Sequence, residues 1–510
     1  MLSRQAGQAE LATLQPLVDE GIDTLLPVVA KQSRRLRQDP SSRDEELECR
    51  GCLLNRKIKV LQGLVVIGSV GQNEADEESR KMPTPLEQDL ARCLYLEDAP
   101  PALAVRPPAD GTRVETIIVG GGYTGLSTAL HLAERGRSVA VLEAREPGWG
   151  AAGRNGGQVN AGLKDEPDIL VRKLGPVYGP RLARFALQGP DFLFKLIERL
   201  QIDCGAVRCG TLRAAYASAH VTALQSAVDQ WRRFGSSAEM WAPAQMAEQT
   251  GTTRYVAGMF DPRGGAVQPL ALARGLAAAA QRAGAAIHSL TPVVGFDRVG
   301  TEWHVRTPSG LVRADQVVIT TQAYTGDLWP GVGTSIVPAY SSIIATEPLP
   351  NEVAAAVLPG NPVVYEVGNI TTYFRRDAAN RLLMGGRGAQ RSEITQDDFK
   401  HLARYAQRLW PSLAGFRWTH WWNGQLALTP DFNPRFHMPA AGLYVMLGYA
   451  RGVALSSAFG AELAAVLTGA SVESFPLPVS PIRSIPLHRF WRLGVAARVL
   501  QGRLLDSFTS

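Results

Sequence analysis

The chain has 510 residues and a mass of 55.0 kDa, more than one hydrophobic core usually spans, so two packed domains or one domain with an extension are expected. With 45% hydrophobic and 20% charged residues it can bury a core, which excludes a wholly disordered chain, and five cysteines are too few for a secreted disulfide framework and favour a reducing cytoplasm. Fifty-three basic against 47 acidic side chains, net +6, is too mild an imbalance for a nucleic-acid footprint, and no run of about eighteen uncharged apolar residues offers a membrane span.

Residues 1–81 carry charge runs such as Lys31–Arg37 and Asp44–Glu48 with little apolar periodicity, and read as a poorly ordered extension, with Met82 as an alternative start. Gly68-Ser69-Val70-Gly71 mimics a nucleotide-binding turn, but residues 73–80 supply no apolar helix face, and Cys49 and Cys52 have no partner pair. Pro100, Pro101, Pro107 and Pro108 punctuate 82–111 as a linker.

The first strong strand is Thr116–Val119. After Gly120-Gly121-Gly122-Tyr123-Thr124-Gly125, the residues Leu126, Ala129, Leu130 and Ala133 recur at helical spacing until Gly136, and Val139–Leu142 forms a second strand ending at Glu143. Helical patterns dominate 166–264. Pro269–Ala283 reads as a helix, with Ile287, Val293–Val294, Trp303–Arg306 and Val312–Thr321 as strands rejoining the first sheet. From 337 to 428 strands such as Tyr365–Gly368, Thr371–Arg375 and Leu382–Gly385 alternate. The expected class is α/β: a discontinuous Rossmann-like domain (112–165, 258–336, 429–480) and a mixed-sheet α+β substrate domain (166–257, 337–428), followed by a tail, 481–510.

Gly120, Gly122 and Gly125 fit G-x-G-x-x-G, in which the first glycine permits the turn, the second lets phosphates approach, and the third lets helix and strand pack. Glu143 stands where a carboxylate accepts both ribose hydroxyls of an adenosine. The fingerprint alone serves NAD or FAD. The loop Gly148–Gln158 favours FAD, because small residues around Arg154 and Asn155 suit a backbone lying along an extended dinucleotide.

These stretches, with Gly264–Pro269 and Gly448-Tyr449-Ala450-Arg451-Gly452-Val453-Ala454, resemble the D-amino-acid-oxidase-like family of FAD-dependent amine and amino-acid oxidoreductases over about 112–475. The resemblance implies that Gly120, Gly122, Tyr123, Thr124, Gly125, Glu143, Ala144 and Arg145 hold the ADP half of FAD. Gly150, Ala151, Arg154, Asn155, Gly156 and Gly157 then line the path to the flavin, Val293, Val294 and Thr321 border the cofactor, and Gly448, Tyr449, Arg451, Gly452 and Val453 lie at its pyrimidine edge. No cysteine follows Cys209 and no histidine stands between Gly148 and Lys164, so the FAD is expected to be non-covalent. The implied reaction is hydride transfer from the carbon beside nitrogen of an amine or amino acid, gamma-glutamylated polyamines among them, to flavin N5, then imine hydrolysis. Oxygen or another acceptor reoxidises the flavin.

Tyr373 and Arg375 share one face of a strand, and with Tyr449 and Arg451 they are the candidate catalytic and substrate-binding residues, Arg375 as a two-pronged carboxylate clamp or a solvated strand arginine. Tyr340 and Trp422 read as site walls or core. His304, His420 and His437 stand singly, so no metal site is expected. In the tail, Phe490, Trp491, Leu493, Val499, Leu500 and Leu504 interleave with Arg489, Arg492, Arg498 and Arg503, a basic amphipathic pattern suited to peripheral membrane contact or to packing on the dinucleotide domain. An NAD-linked dehydrogenase and a non-catalytic flavin-binding or membrane-docking protein are the rival readings.

Overall fold

In the computed structural model, residues 93–104, 106–368 and 370–509 are described, with side chains to Gly502. In chain order the elements begin with α1 (Tyr95–Asp98), β1 (Thr112–Val119), α2 (Tyr123–Ala133), β2 (Val139–Leu142), β3 (Gln158–Val159) and α3 (Pro167–Leu200), the last broken at Gly175, which takes φ 78°. Next come β4 (Thr211–Ala215), α4 (Val221–Arg233), β5 (Glu239–Trp241), α5 (Pro243–Thr250), β6 (Ala257–Asp261), β7 (Gly265–Ala266), α6 (Pro269–Arg282), β8 (Ala286–His288), β9 (Gly295–Val299), β10 (Glu302–Thr307) and β11 (Gly310–Ile319). The remainder are β12 (Val337–Thr346), α7 (Asn351–Ala356), β13 (Val363–Glu366), β14 (Tyr373–Arg376), β15 (Leu382–Arg387), α8 (Lys400–Leu409), β16 (Trp418–Leu428), β17 (Arg435–Ala440), β18 (Leu443–Leu447), α9 (Val453–Leu467) and α10 (Trp491–Thr509).

Two large sheets organise them. The first runs β17-β18-β11-β1-β2-β8, parallel from β18 to β8, with β10 attached to β11 and β9 to β10. Its central strands carry unbroken apolar runs because both faces are covered: Ile117, Ile118, Val141, Val317 and Val318 are fully buried. The second runs β16-β12-β15-β14-β13-β4-β6-β5, mostly antiparallel, and β3 and β7 form a two-stranded ribbon. Helices α2 and α9 pack so closely that a Cβ on Gly460 would lie 2.7 Å from the Thr124 carbonyl oxygen. Ser127 Oγ seals the crossing by donating to Ser457 O at 2.6 Å.

The expected βαβ unit is present, and α6 spans Pro269–Arg282, its amino end capped by Gln268, whose side chain accepts from Ala271 N–H. Three readings differ. Val293–Val294 is extended coil leading into β9 rather than a strand. The block 166–264 contributes β4, β5 and β6 to the second sheet, so the expected boundary at 258 falls inside β6; these short strands carry no clean alternation, since β4 and β6 are buried on both faces. The presumed linker is partly core: Cys93, Leu94 and Tyr95 are each 2% exposed, and Tyr95 meets Trp422 edge to face at 5.1 Å. The readings for residues 1–81, including the Gly68–Gly71 turn and the Cys49/Cys52 pair, lie outside the described residues.

Candidate functional site

The end of β1 turns sharply at Gly120, whose φ of +106° only glycine adopts without strain. At Gly125 a Cβ would sit 2.1 Å from the Gly120 carbonyl oxygen, so its absence lets α2 start directly against the strand end. Beside Gly122, by contrast, an added Cβ would meet only Ala152 Cβ, at 3.9 Å: there is open space where the fingerprint needs phosphate to approach. No side chain caps the amino end of α2 and no acid stands in its first turn, although Tyr123 and Thr124 are buried there. Such a helix end leaves orphan N–H donors suited to an anion.

Glu143 faces this turn. Its Oε2 accepts from Gly121 N–H at 2.6 Å and its Oε1 from Arg145 N–H at 2.8 Å, which fixes the carboxylate and leaves lone pairs for further donors. Withdrawal from water pushes its carboxyl above the usual range, and the two backbone donors pull it down. Ala144 is exposed beside it. Val293 is 6% and Val294 50% exposed, and Thr321 Oγ1 pairs with Thr325 Oγ1 at 2.6 Å just past β11.

The loop after β2 is organised by Asn155. Its Nδ2 donates to the Ala152 and Ala151 carbonyls at 2.7 and 3.2 Å, and its Oδ1 accepts from Gly157 N–H at 2.8 Å. This holds Gly150–Gly153 in a tight turn. Arg154 is 3% exposed, lies over the Trp149 ring at 4.2 Å, and burial lowers its pKa; its carbonyl accepts from Trp422 Nε1 at 2.9 Å. Gly156 faces the second sheet, for a Cβ there would meet Tyr373 at 2.8 Å.

The turn 448–452 joins β18 to α9. Gly448 takes φ +91° and its N–H donates to Gln322 Oε1 at 3.0 Å. Gln322 was not singled out by the sequence reading; its own strained backbone, φ 52°, is invisible in the residue type. Gly452 leads Val453 into α9 with no side-chain cap and no acid in the first turn, so a second uncapped helix end lies beside α2. Tyr449 is buried and its hydroxyl accepts from Thr124 Oγ1 at 3.1 Å, which ties this turn to the glycine loop. Arg451 stacks on Tyr365 of β13 at 4.7 Å.

A profile of the family described as FAD dependent oxidoreductase (DAO) matches residues 115–466. The chain belongs to this FAD-dependent oxidoreductase family. It is 32% identical to gamma-glutamylputrescine oxidoreductase of Escherichia coli (strain K12), covering 76% of this chain and 93% of that one, and 28% identical to glycine oxidase of Geobacillus kaustophilus (strain HTA426), covering 73% and 98%. The crystal structure of glycine oxidase from Geobacillus kaustophilus shares the fold, with a TM-score of 0.63, 24% identity and coverage of 74% and 99%.

For a member of the FAD-dependent oxidoreductase family, the residues present fit the cofactor. The open space at Gly122 and the buried uncapped start of α2 suit a pyrophosphate, and Glu143 is held beside them. The family assignment removes the nicotinamide alternative. Two candidates in the second sheet turn out differently placed. Arg375 is 5% exposed and its guanidinium is spent on the protein: Nε donates to Gly156 O at 2.7 Å, Nη2 to Val267 O and Tyr95 Oη at 3.4 Å. It cannot clamp a substrate carboxylate in this state; it rivets β14 to the loop and to the segment before β1. Tyr373, whose hydroxyl pairs with Ser341 Oγ at 2.9 Å, does lie against that loop. Tyr340 and Trp422 are core, at 1% and 3% exposure. His420 pairs with Glu97 and His437 with Ser480 O, and among the described residues no group of three His, Cys, Asp or Glu could hold a metal.

Proposed function

We propose that this FAD-dependent oxidoreductase oxidises the C–N bond of an amine or amino acid, with gamma-glutamylated polyamines as the substrate class favoured by its likeness to gamma-glutamylputrescine oxidoreductase over nearly the whole of that enzyme. Bound non-covalently, FAD would supply at N5 the acceptor for a hydride from the carbon beside nitrogen, leaving an imine that water hydrolyses.

The observation that carries this reading is the convergence of two uncapped helix starts, α2 and α9, on turns tied together through Thr124 and Tyr449. Gly120, Gly122, Gly125 and Glu143 would hold the ADP half, and the loop 150–157 would carry the chain of the cofactor towards the second sheet. Backbone N–H groups at 452–454 would favour negative charge at the flavin's pyrimidine edge. Tyr373 and Tyr365 on the second-sheet side, faced by Arg451 of the turn before α9, would position the substrate. The buried thiols of Cys93 and Cys204 are both pushed up to about 12 by burial, so neither is a reactive nucleophile for a covalent flavin link.

Purified protein should be yellow and release its flavin on denaturation. Under anaerobic conditions, gamma-glutamylputrescine or another amine of the panel should bleach the flavin absorption. Bleaching by dithionite but by no amine or amino acid would overturn the assignment. Oxygen uptake set against reduction of an added dye then separates oxidase from dehydrogenase.

A further inference from the structure

With Arg375 committed to the protein, the anion-binding capacity of the cleft lies elsewhere. Three cations meet between the first sheet's turns and the second sheet. Lys164 follows β3, and its ammonium sits 3.4 Å from the centroid of the Phe432 ring. Arg387 ends β15, paired in register with Ser341, the residue whose hydroxyl holds Tyr373. Arg451 leans on Tyr365. Among the described residues none of the three is in an ion pair, and the Arg387 guanidinium makes no hydrogen bond. The acid beside them, Asp165, is taken by Lys173 at 2.6 Å and by Asn433 at 2.8 Å.

Charges of one sign crowded together at a partly buried site without a counter-charge repel one another, and a bound anion relieves the repulsion. The Lys164 ammonium is brought down to about 8 by withdrawal from water and then by the charges of Arg387, Arg498 and Arg451, against Asp165. Burial likewise lowers Arg387. Arg498 belongs to α10, beyond the residues that match the family, so the tail adds a cation to the same cleft. Arg492 of that helix donates to Gln390 O at 3.3 Å, and Gln390 in turn grips the Tyr340 backbone at 3.0 and 3.1 Å, which holds the tail against β12.

We propose that Lys164 and Arg387, flanked by Arg451 and by Arg498 of the tail, bind a carboxylate at the end of the substrate away from the reacting C–N bond, so that the preferred substrates are amines carrying a remote anionic group. This rests on the amine-oxidising reading above. It would give the gamma-glutamyl end of a gamma-glutamylated amine its recognition, while a plain diamine of the same reactive end would lack it.

The test uses the holoenzyme and its Arg387→Gln, Arg387→Lys and Lys164→Gln variants. Glutarate, which has two carboxylates and no amine, is titrated by calorimetry, and the ratio of kcat/KM for gamma-glutamylputrescine to that for putrescine is measured. Wild type should bind glutarate; Arg387→Gln and Lys164→Gln should each weaken binding, and lower the ratio, about tenfold, the size expected for one charge-assisted contact. Arg387→Lys should recover part of both. Lys164 is exposed, so its variant keeps the test standing where Arg387→Gln fails to fold, as thermal melting would report. No glutarate binding to wild type, or variants that leave the affinity and the ratio unchanged, would overturn the proposal. If no amine bleaches the flavin, the oxidation reading falls, and glutarate calorimetry still decides the anion site.

Discussion

Glu143 shows how one side chain serves two ends. Its two oxygens are already bonded to Gly121 and Arg145 N–H groups, so it shapes the turn before it meets any ribose. A glutamine retains one of these acceptors and turns an N–H donor on the other. Glu143→Gln should therefore fold but hold FAD about tenfold to a hundredfold less tightly, a loss of about 1.4–2.8 kcal/mol. Free flavin passing a desalting column is the measurement, and retention equal to wild type would count against the role. Because burial lifts this carboxyl, it protonates at a higher pH than an ordinary one, so FAD retention should weaken on the acid side first. The acid was legible in the sequence because it ends a strand at a fixed distance from the glycines. The fate of Arg375 was not: alternation gave its side of the strand, but its partners, Gly156, Val267 and Tyr95, come from three distant segments, and no local pattern announces that.

At the scale of the element, the three fingerprint glycines do different work, and the structure separates them. Gly125 is where α2 presses on β1, with no room for a Cβ 2.1 Å from a carbonyl oxygen, whereas Gly122 has room at a φ of −86° that any residue adopts. Gly125→Ala should therefore disturb the fold itself, seen as a lowered melting temperature even without cofactor. Gly122→Ala should melt like wild type without FAD and yet fail to bind it, because the methyl fills the approach that phosphates require. Equal melting losses in both cofactor-free variants would contradict this division. The βαβ unit and α6 were legible because their apolar periods are long and bounded by glycine and proline. The strands β4, β5 and β6 were not, because runs of three to five residues buried within a sheet carry no period of their own.

On the scale of the whole molecule, the described chain from Cys93 onward extends beyond the family match at both ends, and both flanks pack. Tyr95 fills a space between α6 and Trp422, accepts from Arg375 through its hydroxyl and from Gln268 Nε2 through its carbonyl at 2.7 Å; Pro100 O takes a bond from Arg274 at 2.6 Å. A chain beginning at residue 107 loses these contacts and leaves Arg375 short of a partner. It should melt several degrees lower and retain flavin poorly; Tyr95→Ala alone should cost about 3–5 kcal/mol, the usual range for emptying a large aromatic site. Chemical denaturation gives the number, and a Tyr95→Ala midpoint matching wild type would refute the packing argument. Sequence reading took this segment for a linker because four prolines dominate its composition, while three buried residues at 93–95 decide its place. In the tail, the described part of α10 leaves Trp491, Val495 and Val499 half-buried and Leu493 and Leu500 exposed. No helix among the described residues is long and apolar enough to cross a membrane.

The commitment of Arg375 to Gly156, Val267 and Tyr95 bears on how this catalyst can be retuned. A library that randomises Arg375 in search of new amine preferences will return mostly damaged scaffolds, since each replacement unpicks three seams at once. Diversity spent at Lys164 and Arg387 touches side chains that the scaffold does not depend on for its own hydrogen bonding, and that is where a change of taste for substrate should be bred.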